Sequence, residues 1–137
     1  MYHKLIIIGN LGRDPEMRYT PSGQAVTNFS VATNRQYTAS DGQQVKETVW
    51  FRVSAWGRQA ETCNQFLRQG SRVLVEGRLT SDPATGGPRI WTRQDGTSAA
   101  SFEVSAATVR FLSTRQEDEA YQASSLMDQQ DDDDIPF

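Results

Sequence analysis

The chain holds a single cysteine, Cys63, and a single histidine, His3, among 137 residues. One thiol cannot form an intrachain disulfide, and one Cys with one His leaves too few donors for a zinc site. Long apolar runs are also missing. The N-terminal MYHKLIIIGN offers only Leu5 to Ile8, too short for a signal peptide and far below the about 20 apolar residues of a membrane helix. The expectation is a soluble, intracellular protein with no membrane association. Internal repeats are lacking. Gly9-Asn10-Leu11-Gly12 lacks the Gly-Lys-Ser/Thr ending of a phosphate loop, and no helical pattern opens after it. The carboxylates Asp14, Glu16, Glu47 and Glu76 are scattered without paired spacing. No catalytic residue, metal or cofactor is therefore expected.

Charge is present but unevenly placed. The net charge of −3 conceals two parts. Residues 1–113 carry 13 Lys/Arg against 9 Asp/Glu, a net of +4, whereas residues 114–137 carry one Arg against 8 acids, a net of −7. A mildly basic body with an acidic tail behaves unlike a uniformly acidic protein. The division sets the expected domains: a folded unit over 1–113 and a disordered segment over 114–137, where apolar periodicity stops.

Within the body, β-branched and alternating segments dominate. Strands are expected over Lys4–Ile8, Ala25–Arg35, Val45–Trp56, Ser71–Leu79, Arg89–Arg93 and Ser101–Leu112. Gly9 to Pro15 reads as turn and irregular chain, and Gln36 to Gln44 as a polar connection. A parity shift between Val26 and Phe29 suggests a bulge or strong bend. One helix is expected over Arg58–Gln69, with Ala60, Cys63 and Leu67 on one face and Gly70 ending it. A mostly antiparallel all-β chain with one helix before its fourth long strand suits a five-stranded OB-type barrel, although another small barrel fits nearly as well.

The strand at 45–56 carries the functional signal. Alternation sends Val49, Phe51, Val53 and Ala55 to one face, and Trp50, Arg52, Ser54 and Trp56 to the other. Two indoles with a guanidinium between them on the wetter face are not what a core needs. Arg89, Trp91 and Arg93 repeat the arrangement, and Tyr37 lies beside Arg35 in a polar stretch. Unpaired bases expose flat π faces on which Trp and Tyr stack, while neighbouring cations neutralise phosphate. The expected stacking residues are Tyr37, Trp50, Trp56 and Trp91. The expected phosphate contacts are Arg35, Lys46, Arg52, Arg58, Arg89 and Arg93. A protein–protein interface also favours Trp, Tyr and Arg and is the main rival; a metal-dependent nuclease is weaker, lacking clustered ligands.

The tail closes with Asp131, Asp132, Asp133 and Asp134, then Ile135-Pro136-Phe137. An acid run alone is a solubilising segment. Ile135 and Phe137 after a polar linker add something else, because they can enter a partner's pocket whose basic rim holds the aspartates.

Several stretches together resemble the bacterial single-stranded-DNA-binding proteins. They are Gly9 to Glu16 (GNLGRDPE), Val49 to Val53 (VWFRV), Phe66 to Ser71 (FLRQGS), Val75 to Leu79 (VEGRL) and Asp131 to Phe137. The resemblance implies an OB fold, usually a homotetramer, sequence-independent binding of single-stranded DNA during replication, recombination and repair, and recruitment of replication and repair proteins through the tail. It implies stacking roles for Tyr37, Trp50, Trp56 and Trp91. The family often has Trp where this chain has Tyr37 and Phe where it has Trp56, and both exchanges keep a stacking face. Ser81 to Ile90 looks longer than in the best-known relatives, and the linker is short.

Overall fold

The computed structural model describes residues 1–113 together with Ala120 and Ala123; the expected tail residues Asp131 to Phe137 lie outside the described residues. Within residues 1–113 the elements follow in the order β1 (Leu5–Leu11), β2 (Glu16–Tyr19), β3 (Ala25–Thr38), β4 (Gln44–Trp56), α1 (Gly57–Phe66), β5 (Arg72–Leu79), β6 (Ile90–Thr92), β7 (Ser98–Ala100) and β8 (Phe102–Phe111). The main sheet runs β1-β5-β8-β4-β3-β2, and a further β1–β3 pairing closes its first five strands into a barrel. Pairing is antiparallel except where Phe51–Ser54 of β4 run parallel to Phe102–Ser105 of β8. This is the five-stranded mixed barrel of the OB type. β6 and β7 form a separate hairpin.

The closing seam is short: Asn10 pairs with Ala32 and Leu11 with Val31. Gly9 is what lets it form. A Cβ at Gly9 would collide with the Ala32 carbonyl oxygen and come within 2.8 Å of Val31 Cγ1. The Gly9–Leu11 stretch is therefore strand, not the expected turn, and Asn10 Nδ2 donates to the Gly70 carbonyl at 2.9 Å. At the other end of β1, the Leu79 amide donates to His3 Nε2 at 3.0 Å.

Inside the barrel, Ile7, Leu11, Phe29, Val31, Val53, Ala55, Val73, Val75 and Val104 pack with Cys63 and Leu67 from the helical segment. Cys63 is fully buried, and burial pushes its thiol up to about 11. Thr27 Oγ1 donates to the Ala60 carbonyl at 2.6 Å, fixing α1 to β3. The helix ends at Phe66, earlier than the expected Gln69. Leu67 turns extended to enter the core, and Ser71 Oγ accepts the Arg68 amide at 3.1 Å. Gly70, at φ +91°, then makes the turn into β5.

β2 is unanticipated: after Pro15 the chain pairs Glu16–Tyr19 with Ala25–Asn28. The expected bulge in β3 does not occur, since pairing with β4 runs unbroken from Val26↔Trp56 to Thr38↔Gln44. The parity shift reflects burial on both faces, at Val26 and at Thr27. β3 continues to Thr38, so the polar connection contracts to a turn at the tip of a long ribbon. The Ser81–Ile90 segment closes on itself through the Asp82 amide and the Gly87 carbonyl, 2.8 Å apart. No described helix is long and apolar enough to cross a membrane.

Candidate nucleic-acid interface

The alternation expected of β4 is realised over its second half: Phe51 packs on the core and Val53 and Ala55 are buried, whereas Arg52 and Trp56 are exposed; Val49 and Trp50 are both half-buried. The reason lies in the cross-strand partners. Ala32 stands opposite Trp50, Ser30 opposite Arg52 and Asn28 opposite Ser54. These neighbours are small, and Ser54 Oγ donates to Asn28 Oδ1 at 2.7 Å.

Trp50 and Arg52 form one wall of a groove of about 430 Å³ whose lining also includes Trp91, Arg13, Asp14, Glu16, Asn28, Ser30 and Ser101. Trp91 reaches it from the β6–β7 hairpin, where it pairs with Ala99 and keeps 40% of its surface exposed. The hairpin tip is tied down by Asp95, whose carboxylate accepts the Thr97 amide at 2.9 Å and the Thr97 hydroxyl at 2.6 Å. Those two bonds hold the Asp95 carboxyl below the usual carboxylate range.

The structure thus brings together three expected residues, Trp50, Arg52 and Trp91, and sets the others around them. Trp56 is 42% exposed at the far end of β4, about 20 Å along the strand from Trp50. Arg58 follows it, exposed in the first turn of α1. Tyr37 and Arg35 lie on the outer ribbon, with the guanidinium 4.8 Å from the ring centroid and Arg35 Nη1 at 4.0 Å from Glu47 Oε2. In register they stand opposite Val45 and Glu47, the set alternate to Lys46 and Trp50. Lys46 therefore shares a ribbon face with Trp50, whereas Tyr37 and Arg35 take the other. Arg89 is exposed before β6. Arg93 Nη1 donates to Thr97 Oγ1 at 3.3 Å, which folds the side chain along its own hairpin.

Arg13, Asn28 and Ser30 line the groove without having been anticipated. Arg13 arrives on a turn held by the Gly12 amide on the Ser30 carbonyl, 3.1 Å, and by the Gln69 amide on Asp14 Oδ1, 2.8 Å. Both contacts join residues remote in sequence, so no local pattern announces them. The groove also carries two carboxylates, Asp14 and Glu16. Among the described residues no three His, Cys, Asp or Glu side chains converge as metal ligands would. Such a surface can stack flat rings and neutralise a few phosphates.

The model of the family described as the single-strand binding protein family matches residues 2–112. The chain is similar to the single-stranded DNA-binding proteins of Wolinella succinogenes and Helicobacter hepaticus, 40% identical to each over 115 residues. The aligned part is 84% of this chain and 67% and 64%, respectively, of those proteins. It is also similar to the crystal structure of a deletion mutant of the single-stranded DNA binding protein from Thermus aquaticus. That match has a TM-score of 0.63 and 32% identity, covering 82% of this chain and 51% of the other. The chain thus spans about two thirds of these curated relatives and half of the solved chain.

Proposed function

This chain belongs to the single-strand binding protein family, and from that premise we propose that it binds single-stranded DNA without regard to sequence. The observation that carries the proposal is the groove joining Trp50, Arg52 and Trp91. Bases stack on the two indoles, which any base can do. Arg52 neutralises phosphate beside them, and Ser30 and Ala32 keep the approach open. Trp56 with Arg58 at one end of β4, and Lys46 on the Trp50 face of the ribbon, extend the path; Arg89 and Arg93 flank Trp91, and Tyr37 with Arg35 engages a strand that has turned round the ribbon to its other face.

In this reading residues 1–113 form the DNA-binding unit, acting in the bacterial cytoplasm on the nucleoid during replication, recombination and repair. Residues 114–137 are a linker and tip, and Asp131 to Phe137 recruit other replication and repair proteins. The protein works as a homotetramer. In support, β1 pairs with β3 only through Asn10 and Leu11, which leaves the Leu5–Ile8 edge without a β3 partner, and Ile6 and Ile8 are more than half exposed. The test of DNA binding is tryptophan fluorescence during titration with oligo(dT). Strong, saturable quenching is expected, because stacked indoles lose emission. Unchanged emission at stoichiometric oligo(dT) would favour an aromatic face that meets protein instead.

A further inference from the structure

The segment ahead of β1 has no part in the DNA-binding proposal. Met1 and Tyr2 are almost wholly exposed, and His3 and Lys4 are exposed beside them. Among the described residues, the backbone amides of Tyr2 and His3 donate no hydrogen bond. Two side chains tie the segment to β5. His3 Nε2 accepts the Leu79 amide at 3.0 Å, and Lys4 Nζ lies 3.0 Å from Glu76 Oε2.

A neutral imidazole that accepts through Nε2 carries its proton on Nδ1. Nδ1 is also the ring nitrogen nearer the histidine's own backbone. In a chain whose first residue is Met1 with a free amine, four nitrogens then follow in covalent succession: the Met1 amine, the Tyr2 amide, the His3 amide and His3 Nδ1. Each neighbouring pair can close a small chelate ring on one ion, and the fused rings are flat. Tyr2 matters by not being proline, because each backbone nitrogen needs a proton to lose. A square plane of nitrogen donors suits Cu(II) or Ni(II). We propose that Met1-Tyr2-His3 binds one such ion through these four nitrogens. No cluster of ligating side chains is needed, since only one of the four donors belongs to a side chain.

Metal binding and the contact with β5 oppose each other. As the ion binds, the Met1 ammonium and the two amides release their protons to water, and the imidazole proton passes from Nδ1 to Nε2. Nε2–H then faces the Leu79 N–H, donor against donor, so a loaded His3 lets go of Leu79. Lys4 and Glu76 lie outside the chelate and keep the start of β1 on β5. The site thus reports to the end of β5, where the Ser81–Ile90 segment begins. The proposal is independent of DNA binding, and the experiment is done without DNA.

The full chain, its free Met1 amine confirmed by intact mass, is titrated with Cu(II) supplied as the bis-glycinate, which suppresses loose sites. The visible d–d band of four-nitrogen square-planar copper should appear and saturate at one equivalent. It should be lost in His3→Ala and in Tyr2→Pro, two exposed positions ahead of the first strand. Tyr2→Pro keeps the amine and the imidazole, so copper held by a lone surface histidine would survive it. Ni(II), diamagnetic in this geometry, should shift the Leu79 amide resonance and speed its hydrogen exchange at one equivalent. No band at one equivalent, an undiminished band in Tyr2→Pro, or an unmoved Leu79 amide would each overturn the proposal. An oligo(dT) titration of the metal-free chain reports separately on the DNA-binding reading.

Discussion

Trp50 faces Ala32 across the ribbon, so its ring is carried by the strand and not wedged into the core. Truncation should therefore cost affinity and little stability. Trp50→Ala and Trp91→Ala are each expected to weaken oligo(dT) binding by about 1–3 kcal/mol, the range general to base–aromatic stacks in single-strand binders, this family among them. Thermal unfolding should stay near that of the parent. Parent-like binding by both folded variants would remove the groove from the DNA path. Cys63 gives a different kind of prediction. Its folded-state pKa, about 11, lies above the ordinary thiol value of 9.0 because burial disfavours the thiolate. The neutral thiol's contribution is intact below pH 9 and is lost as pH rises toward 11. Chemical denaturation at pH 7.5 and 10.5 should show a stability loss in the parent that shrinks in Cys63→Ala. At neutral pH the thiol should resist modification until the barrel opens.

At the level of elements, the strands divide by how local their causes are. β4 was legible because its alternation from Val49 to Trp56 is a property of consecutive residues, and with it came Trp50, Arg52 and the inward residues Phe51, Val53 and Ala55, Val49 being only half-buried. The helix was legible from Ala60, Cys63 and Leu67, though Leu67 serves the core after the helix has ended. β2 was not legible: the alternation of Met17 and Tyr19 with Glu16 and Arg18 spans only four residues behind Pro15, and it becomes a strand where β3 offers it an edge. The seam was misread for the same reason, since Gly9-Asn10 looks like a turn until Ala32 is known to lie against it. Arg13 was overlooked because Ser30 and Gln69 place it, and neither is near it in sequence. The seam yields a sharp prediction. Gly9→Ala forces a methyl onto the Ala32 carbonyl and should destabilise the barrel by about 1–3 kcal/mol or more. An unchanged denaturation midpoint would mean that β1 and β3 can separate at no cost.

For the molecule as a whole, charge is thinly supplied. The +4 body must hold a polyanion with a groove that contains carboxylates, so stacking carries much of the affinity. If the six expected cations and Arg13 all touched phosphate, log K against log salt would fall with a slope of about −5 per domain; the measured slope should be no steeper than that. A flat response would remove these cations from the path. Light scattering should show an oligomer at micromolar concentration, and Ile6→Glu with Ile8→Glu should shift it toward monomer. The ends of the barrel chain are held at opposite ends of one strand, His3 by the amide of Leu79 and Ser113 by the amide of Arg72. β5 has eight residues, which sets these two anchor points about 23 Å apart. A circular permutant joining them would need about seven extended residues merely to cross that distance. A reporter fused ahead of Met1 would emerge one strand-length from the root of the tail, leaving the tail free to work while crowding whatever pairs along β1.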